Sequence, residues 1–221
     1  MSRNTMWGII AVLALVAVGG IVWASVGGGG DASSTNGSTV TTDALSGLPD
    51  SQPVTITGDA LPKFESGGGA DPAAGLTAPV VEGLNFNGEK IALDSKDGAY
   101  MVVFLAHWCP HCNAEVPRLI KWKNSGAVPA DLRVIGLATA VAKTQVNYPP
   151  AKWFSDKGWP WPVMVDESGG EGTAGKVAQT FGASGWPYFV IVGADGKVKV
   201  RVSGEIEPAE LQKVVDAALA A

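Results

Sequence analysis

Only two cysteines occur in 221 residues. That is too few for a disulfide scaffold, and the second pair a structural zinc site needs is missing. There is no basic excess: 16 Lys and Arg against 21 Asp and Glu leave a formal charge of -5, which argues against a nucleic-acid partner. No internal repeat is present. The glycine-rich stretch Gly169-Gly170-Glu171-Gly172 lacks the lysine and the spacing of a phosphate loop. Neither cysteine follows the first apolar run, which excludes a lipoprotein anchor. Nor does Cys109 sit in the Pro-x-x-x-Thr-x-x-Cys context of a peroxidatic cysteine.

The two cysteines that are present lie together in His107-Trp108-Cys109-Pro110-His111-Cys112, directly after the apolar run Tyr100 to Leu105. The run reads as a buried strand and the residues after it as a helix start. The helix N-terminus offers unpaired N–H groups and the positive end of the macrodipole, so a thiolate there is stabilised and its pKa falls. Cys109, nearer the helix mouth, is expected to attack, and Cys112, in the first turn, to resolve the mixed disulfide. The same stretch also holds His107 and His111. Four potential metal ligands within six residues cannot easily be aimed at one point by helix geometry, so no metal is assigned.

Residues Trp7 to Val26 carry no charge. As a helix this length spans about 30 Å, the thickness of a bilayer's hydrocarbon core. Trp7 and Trp23 lie near its ends and Arg3 precedes it, which places residues 1–6 in the cytoplasm and exports the rest. Val22-Trp23-Ala24 also suits a signal peptidase, but the run is long for a signal peptide, so a retained anchor over 7–26 is expected. From 27 to 78 the chain is rich in Gly, Ser and Thr and reads as a flexible tether reaching about 40 Å, with at most a short strand at Val54 to Thr57.

A folded domain is expected over 79–221. Val80 to Leu84 and Lys90 to Leu93 flank Asn87-Gly88, a hairpin signal. After the cysteines, a helix carries Val116, Leu119, Ile120 and Trp122 inward, contains Pro117 and stops at Gly126. A strand at Leu132 to Ala138, a helix at Ala151 to Lys157, a strand at Val163 to Val165 and a helix from a Thr173 cap to Gly182 follow. A second hairpin joins Tyr188 to Val192 with Lys197 to Val202 through Asp195-Gly196, and a last helix starts at Pro208. This alternation predicts an α/β fold: a central, mostly parallel sheet with helices on both faces, an antiparallel edge hairpin and an N-terminal β-hairpin extension.

This order resembles the thioredoxin superfamily, and most of all its membrane-anchored, exported TlpA/ResA-type branch, over about Pro79 to Ala221. Trp108-Cys109-Pro110-His111-Cys112 is similar to the family's W-C-x-x-C, Pro117 to its helix-kinking proline, Gly185-Trp186-Pro187 to its cis-proline loop, Asp195-Gly196-Lys197 to its final hairpin turn, and Glu115 to an active-site glutamate of the ResA-like branch. Val103 departs from the buried acid that thioredoxins and DsbA-type proteins carry six positions before the first cysteine. Pro110-His111 is the central dipeptide of DsbA-type oxidants. Trp186 is bulky where relatives carry Thr, Val or Ile.

The resemblance implies a thioredoxin-like fold and thiol–disulfide oxidoreductase activity without a cofactor. It places His111 beside the Cys109 sulfur, makes Glu115 a candidate proton relay for Cys112 in place of an acid at Val103, and makes Pro187, with Trp186 and Trp108, a peptide platform. The expected substrates are thiols or disulfides of exported proteins, with a separate membrane or soluble partner recycling the Cys109–Cys112 pair. Pro110-His111 points to disulfide formation or exchange, while the TlpA/ResA-like body and Glu115 point to a reductase, for example in cytochrome c maturation. A non-catalytic binding or copper-handling module is the alternative from another class.

Overall fold

The structure is a computed structural model that describes residues 42–67 and 69–221. The expected membrane anchor, 7–26, lies outside the described residues. Among the described residues no helix is long and apolar enough to cross a membrane.

Eight strands form one mixed sheet: β1 (Thr55–Thr57), β2 (Val80–Leu84), β3 (Lys90–Leu93), β4 (Tyr100–Leu105), β5 (Arg133–Ala138), β6 (Val163–Val165), β7 (Tyr188–Val192) and β8 (Val198–Ser203), in the spatial order β1-β2-β6-β5-β4-β7-β8 with β3 paired to β2. β4 and β5 run parallel, as do β5 and β6, and every other pairing is antiparallel. The sheet is therefore mixed, not mostly parallel. The chain's hairpins, β2–β3 and β7–β8, lie at either end of the parallel trio and bring antiparallel partners to both sides, through β2 against β6 and β7 against β4.

Among the described residues five α-helices, α1 (Thr42–Ser46), α2 (Pro110–Asn124), α3 (Pro150–Asp156), α4 (Lys176–Thr180) and α5 (Pro208–Ala220), accompany the sheet. Strand β4 is buried on both faces, and its alternating side chains divide the core in two. Met101, Val103 and Leu105 meet α2, α3 and α5 on one face, and Tyr100, Val102 and Phe104 meet α4 and the N-terminal segment on the other. Helix α2 buries Cys112, Glu115, Val116, Leu119 and Trp122, leaves Ile120 half-buried and carries Pro117 inside it. On the α2 side an aromatic ladder runs Trp122–Trp161–Trp159–Phe154–Trp153, with ring centroids 6.2, 5.0, 5.7 and 4.9 Å apart in turn. Helix α4 is shorter than its Thr173 cap suggested: the hydroxyl of Thr173 donates to the Gly170 carbonyl, and the helix starts after Gly175. Its first N–H groups are met instead by Asp166, which accepts from Val177 at 2.8 Å and Ala178 at 3.2 Å.

The tether expected over 27–78 is corrected over its later part. Strand β1 pairs with β2, Leu61 and Ala73 are buried, and Asp71 accepts from the guanidinium of Arg201, 2.9 Å at Nε. Arg201 is itself buried, and its Nη1 also donates to the Pro62 carbonyl at 2.7 Å. A charge placed inside the sheet's own face requires a partner, and here the partner comes from a segment too polar to look like core.

Candidate active site

Cys109 is the N-cap of α2 and Pro110 its first residue, with φ -70 and ψ 124 at the cap holding the thiol in the helix mouth. Cys109 is 6% exposed and Cys112 0%, and both are free thiols. The hydrogen bond from the Cys112 thiol is the main cause that lowers Cys109 from its usual 9.0 to about 6. Burial opposes that shift, while the Cys112 and His111 N–H groups and the charge of His111 add to it. Cys112 moves the other way: burial first, then its bond to Cys109, hold its thiol protonated. The two sulfurs are thus differentiated, one ionised at neutral pH and one not.

Across from them the Trp186–Pro187 peptide bond is cis, and Cys109 Sγ lies 3.5 Å from the Trp186 carbonyl oxygen. Pro187 is buried and Trp186 half-buried. Trp108 is also half-buried and donates its indole N–H to the Ala140 carbonyl at 2.7 Å.

His107 is buried, with both ring nitrogens engaged. Nδ1–H donates to the Val146 carbonyl at 2.9 Å, and Nε2 accepts from the Ala142 N–H at 3.2 Å. These partners fix a neutral tautomer, and burial lowers the pKa of His107. The histidine therefore anchors the segment between β5 and α3, in which Ala140 and Asn147 take left-handed φ values of 50° and 63°. An alanine there costs about 1 kcal/mol, and the Trp108 and His107 contacts hold it. Asn113 ties α2 to the turn before it and to α3: its amide donates to the carbonyls of His107 and Cys109, at 3.1 and 3.0 Å, and accepts from the Trp153 indole at 2.9 Å.

Glu115 is 0% exposed. Burial pushes its pKa up to about 7, against the Ile206 N–H, which donates to Oε2 at 3.1 Å, and Arg118, 3.5 Å from the same oxygen. Its Oε1 has no hydrogen-bond partner, and its charge acts on Cys112. Val103, where thioredoxins carry an acid, is wholly buried in the same apolar cluster as Cys112. His111, by contrast, is exposed, and its Nδ1 meets Glu205 Oε1 at 2.7 Å. That bond is the main cause that raises the His111 pKa. Glu205 also contacts Arg118, whose Nε reaches Glu207 Oε1 at 3.0 Å.

The structure therefore brings Trp108, Cys109, Pro110, His111, Cys112, Glu115, Trp186 and Pro187 to one end of the sheet. Sequence reasoning did not single out Arg118, Asn113, Glu205 or the 140–148 segment. Arg118 alone left a trace, as a cation three residues after Glu115 on one helix. The others are joined to the site only by folding.

Two differentiated thiols at a helix mouth, facing a cis-proline loop on a thioredoxin-like sheet, define the thiol–disulfide oxidoreductases, and this chain is one of them. A family model described as AhpC/TSA matches residues 73–201, and the chain belongs to that family. It is 26% identical over 150 residues to the thiol:disulfide interchange protein HelX of Rhodobacter capsulatus, a match covering 66% of this chain and 77% of HelX. Among solved structures it resembles a DsbF homologue from Corynebacterium diphtheriae, at TM-score 0.54 and 19% identity, over 71% of this chain and 99% of the other. It also resembles a thioredoxin-family thiol:disulfide interchange protein from Chlorobium tepidum TLS, at TM-score 0.51 and 24% identity, over 66% and 97%.

Proposed function

We propose that the chain is anchored through residues 7–26, with its thioredoxin-like domain outside the membrane, and exchanges disulfides with exported proteins. The observation that carries the reading is the opposed ionisation of the two cysteines: Cys109 lowered to about 6 at the helix mouth, and Cys112 sealed beneath it and held protonated. A stabilised thiolate favours the reduced protein and so makes its disulfide oxidising. In that direction a substrate thiolate attacks Cys109 Sγ of the disulfide. The Cys109–Cys112 bond breaks, Cys112 leaves and takes up a proton, and a mixed disulfide forms at Cys109. A second substrate thiolate attacks the substrate sulfur of that bond and releases Cys109 as the thiolate. The substrate gains one disulfide, the protein holds two electrons as a dithiol, and a separate redox partner removes them. Glu115, buried and near pH 7, is the group suited to give Cys112 its proton, and Pro187 with Trp186 is the platform for the substrate backbone.

A second reading runs the same cycle in reverse. The same Glu115 carboxylate can accept the proton of Cys112, which a reductase needs when Cys112 attacks the mixed disulfide. Titration of the full-length protein against glutathione separates the two: a potential near about -120 mV fits an oxidant and near about -270 mV a reductant.

The role assignment is tested by trapping in cells. A Cys112→Ser variant should accumulate mixed disulfides between Cys109 and exported proteins. No adducts with that variant, together with adducts on Cys109→Ser, would refute it.

A further inference from the structure

Four consecutive residues in the loop between β8 and α5 each touch a different part of the redox site. The Gly204 N–H donates to the Pro187 carbonyl at 2.9 Å. Glu205 holds His111 and Arg118. The Ile206 N–H donates to Glu115. Glu207 holds Arg118 and is the N-cap of α5. None of these residues bears a sulfur or touches one, yet between them they reach the groups beside both cysteines.

We propose that Glu205 is a positioning residue of the redox site: it fixes the charge state of His111, and through Arg118 that of Glu115, so that one carboxylate tunes the surroundings of both thiols. This rests on the proposed roles of His111 and Glu115. His111 is exposed, so its protonation at neutral pH depends on its neighbours, which are Glu205 from the loop and, on α2, Cys109. Among them Glu205 has the largest effect, through a direct hydrogen bond. Cys109 is influenced by Cys112, by N–H groups and by the charge of His111. Glu205 therefore acts on the thiolate through the imidazole. Its second oxygen draws on Arg118, which lies at 3.5 Å from Glu115, faces Glu207 as well, and acts on that buried carboxylate. With Glu205 neutral, the imidazole gives up its proton more readily and Arg118 turns its charge to Glu115, so both groups titrate at lower pH.

The test uses the full-length protein in its reduced form. Two histidines are present, and one is buried and neutral, so the His111 titration is read directly by NMR. In Glu205→Gln it should move to lower pH. The rate of Cys109 alkylation should fall by up to about twofold, since a thiol at about 6 is already mostly ionised there and one exposed ion pair moves it little, only in the pH window between the His111 titrations of the two proteins, and the curves should meet on either side. Glu205→Asp should recover part of the loss. Glu207→Gln, which disturbs the same loop without touching His111, should leave the His111 titration in place. An unmoved His111 titration in Glu205→Gln, or an equal shift in Glu207→Gln, overturns the proposal. Dithiol turnover by the wild-type protein, measured alongside, keeps the two questions apart: if it is present while Glu205→Gln changes nothing, the tuning fails and the proposed function stands, and if it is absent, the function fails.

Discussion

Replacing Glu115 with Gln should stabilise the protein, and more so as the pH rises. The folded-state value of about 7 lies above the 4.5 of an ordinary glutamate. A carboxyl group raised in this way favours the folded state while it is protonated, fully below the ordinary value, and the contribution is lost as pH rises through 7. Between pH 5 and pH 8 the wild-type protein loses about 2.5 kcal/mol on this account. The Ile206 and Arg118 contacts are already contained in that folded-state value, so the net effect is on the order of 2 kcal/mol. Gln cannot ionise, and it keeps the shape of the side chain and an acceptor for Ile206. Its stability relative to wild type should therefore increase by about 2 kcal/mol from pH 5 to pH 8, which in urea is a midpoint shift of about 1 M. The comparison is made on the reduced proteins. Cys109 and Asp166, also perturbed, titrate in both and cancel in the difference. A gap that does not widen with pH, or a variant that loses ground at pH 8, would refute the assignment of Glu115 as a buried carboxyl kept near neutrality. The same variant should slow exchange, since it cannot carry the Cys112 proton.

Three other outcomes are expected. Alkylation of the native dithiol should modify Cys109 alone, half-maximally near pH 6, with Cys112 reacting only on unfolding, as mass spectrometry of the adducts will show. His107→Ala should cost about 2–4 kcal/mol in urea unfolding, because it strands the buried partners of both ring nitrogens, and should open the 140–148 segment to proteases. Since burial depresses the His107 pKa, the wild-type contribution is present above the ordinary imidazole range and lost as pH falls through it, so the difference between the two proteins should shrink in acid. Arg201→Met should cost about 3 kcal/mol by leaving Asp71 unpaired and should expose residues 59–78 to limited proteolysis.

Much of the site was legible because its chemistry is local. A cysteine pair between an apolar run and a helix start is a short-range pattern, and the turns at Asn87-Gly88 and Asp195-Gly196 announce their hairpins for the same reason. Pro149-Pro150 and Pro208 likewise marked α3 and α5 within a residue or two. What escaped is what folding joins across the chain. Asp71 sits in a polar stretch that reads as a tether, and Arg201, 130 residues on, binds it to the sheet. Glu205 and Glu207 look like ordinary loop acids before a helix until His111 and Arg118 arrive beside them. By its position Glu115 equally suits a solvated first-turn glutamate, and its complete burial and its bond from the Ile206 N–H, 91 residues on, come only with folding. The mixed order of the sheet escaped for a related reason: alternating strands and helices suggest parallel pairing, and the hairpins at its two ends reverse the direction of their neighbours.

The aromatic ladder has an optical consequence. Trp122, Trp161 and Trp159 stand ring to ring, and Phe154 joins Trp159 to Trp153, close enough for excitation to pass along the row; Trp153 is hydrogen-bonded to Asn113, the residue after Cys112. A disulfide quenches nearby indole emission more strongly than a dithiol does. Light absorbed as far away as Trp161 should thus reach the neighbourhood of the sulfurs, and the emission of the row should differ according to whether Cys109 and Cys112 are joined. The state of the cysteine pair should then be readable from the protein's own emission, without a dye, a tag or an added substrate.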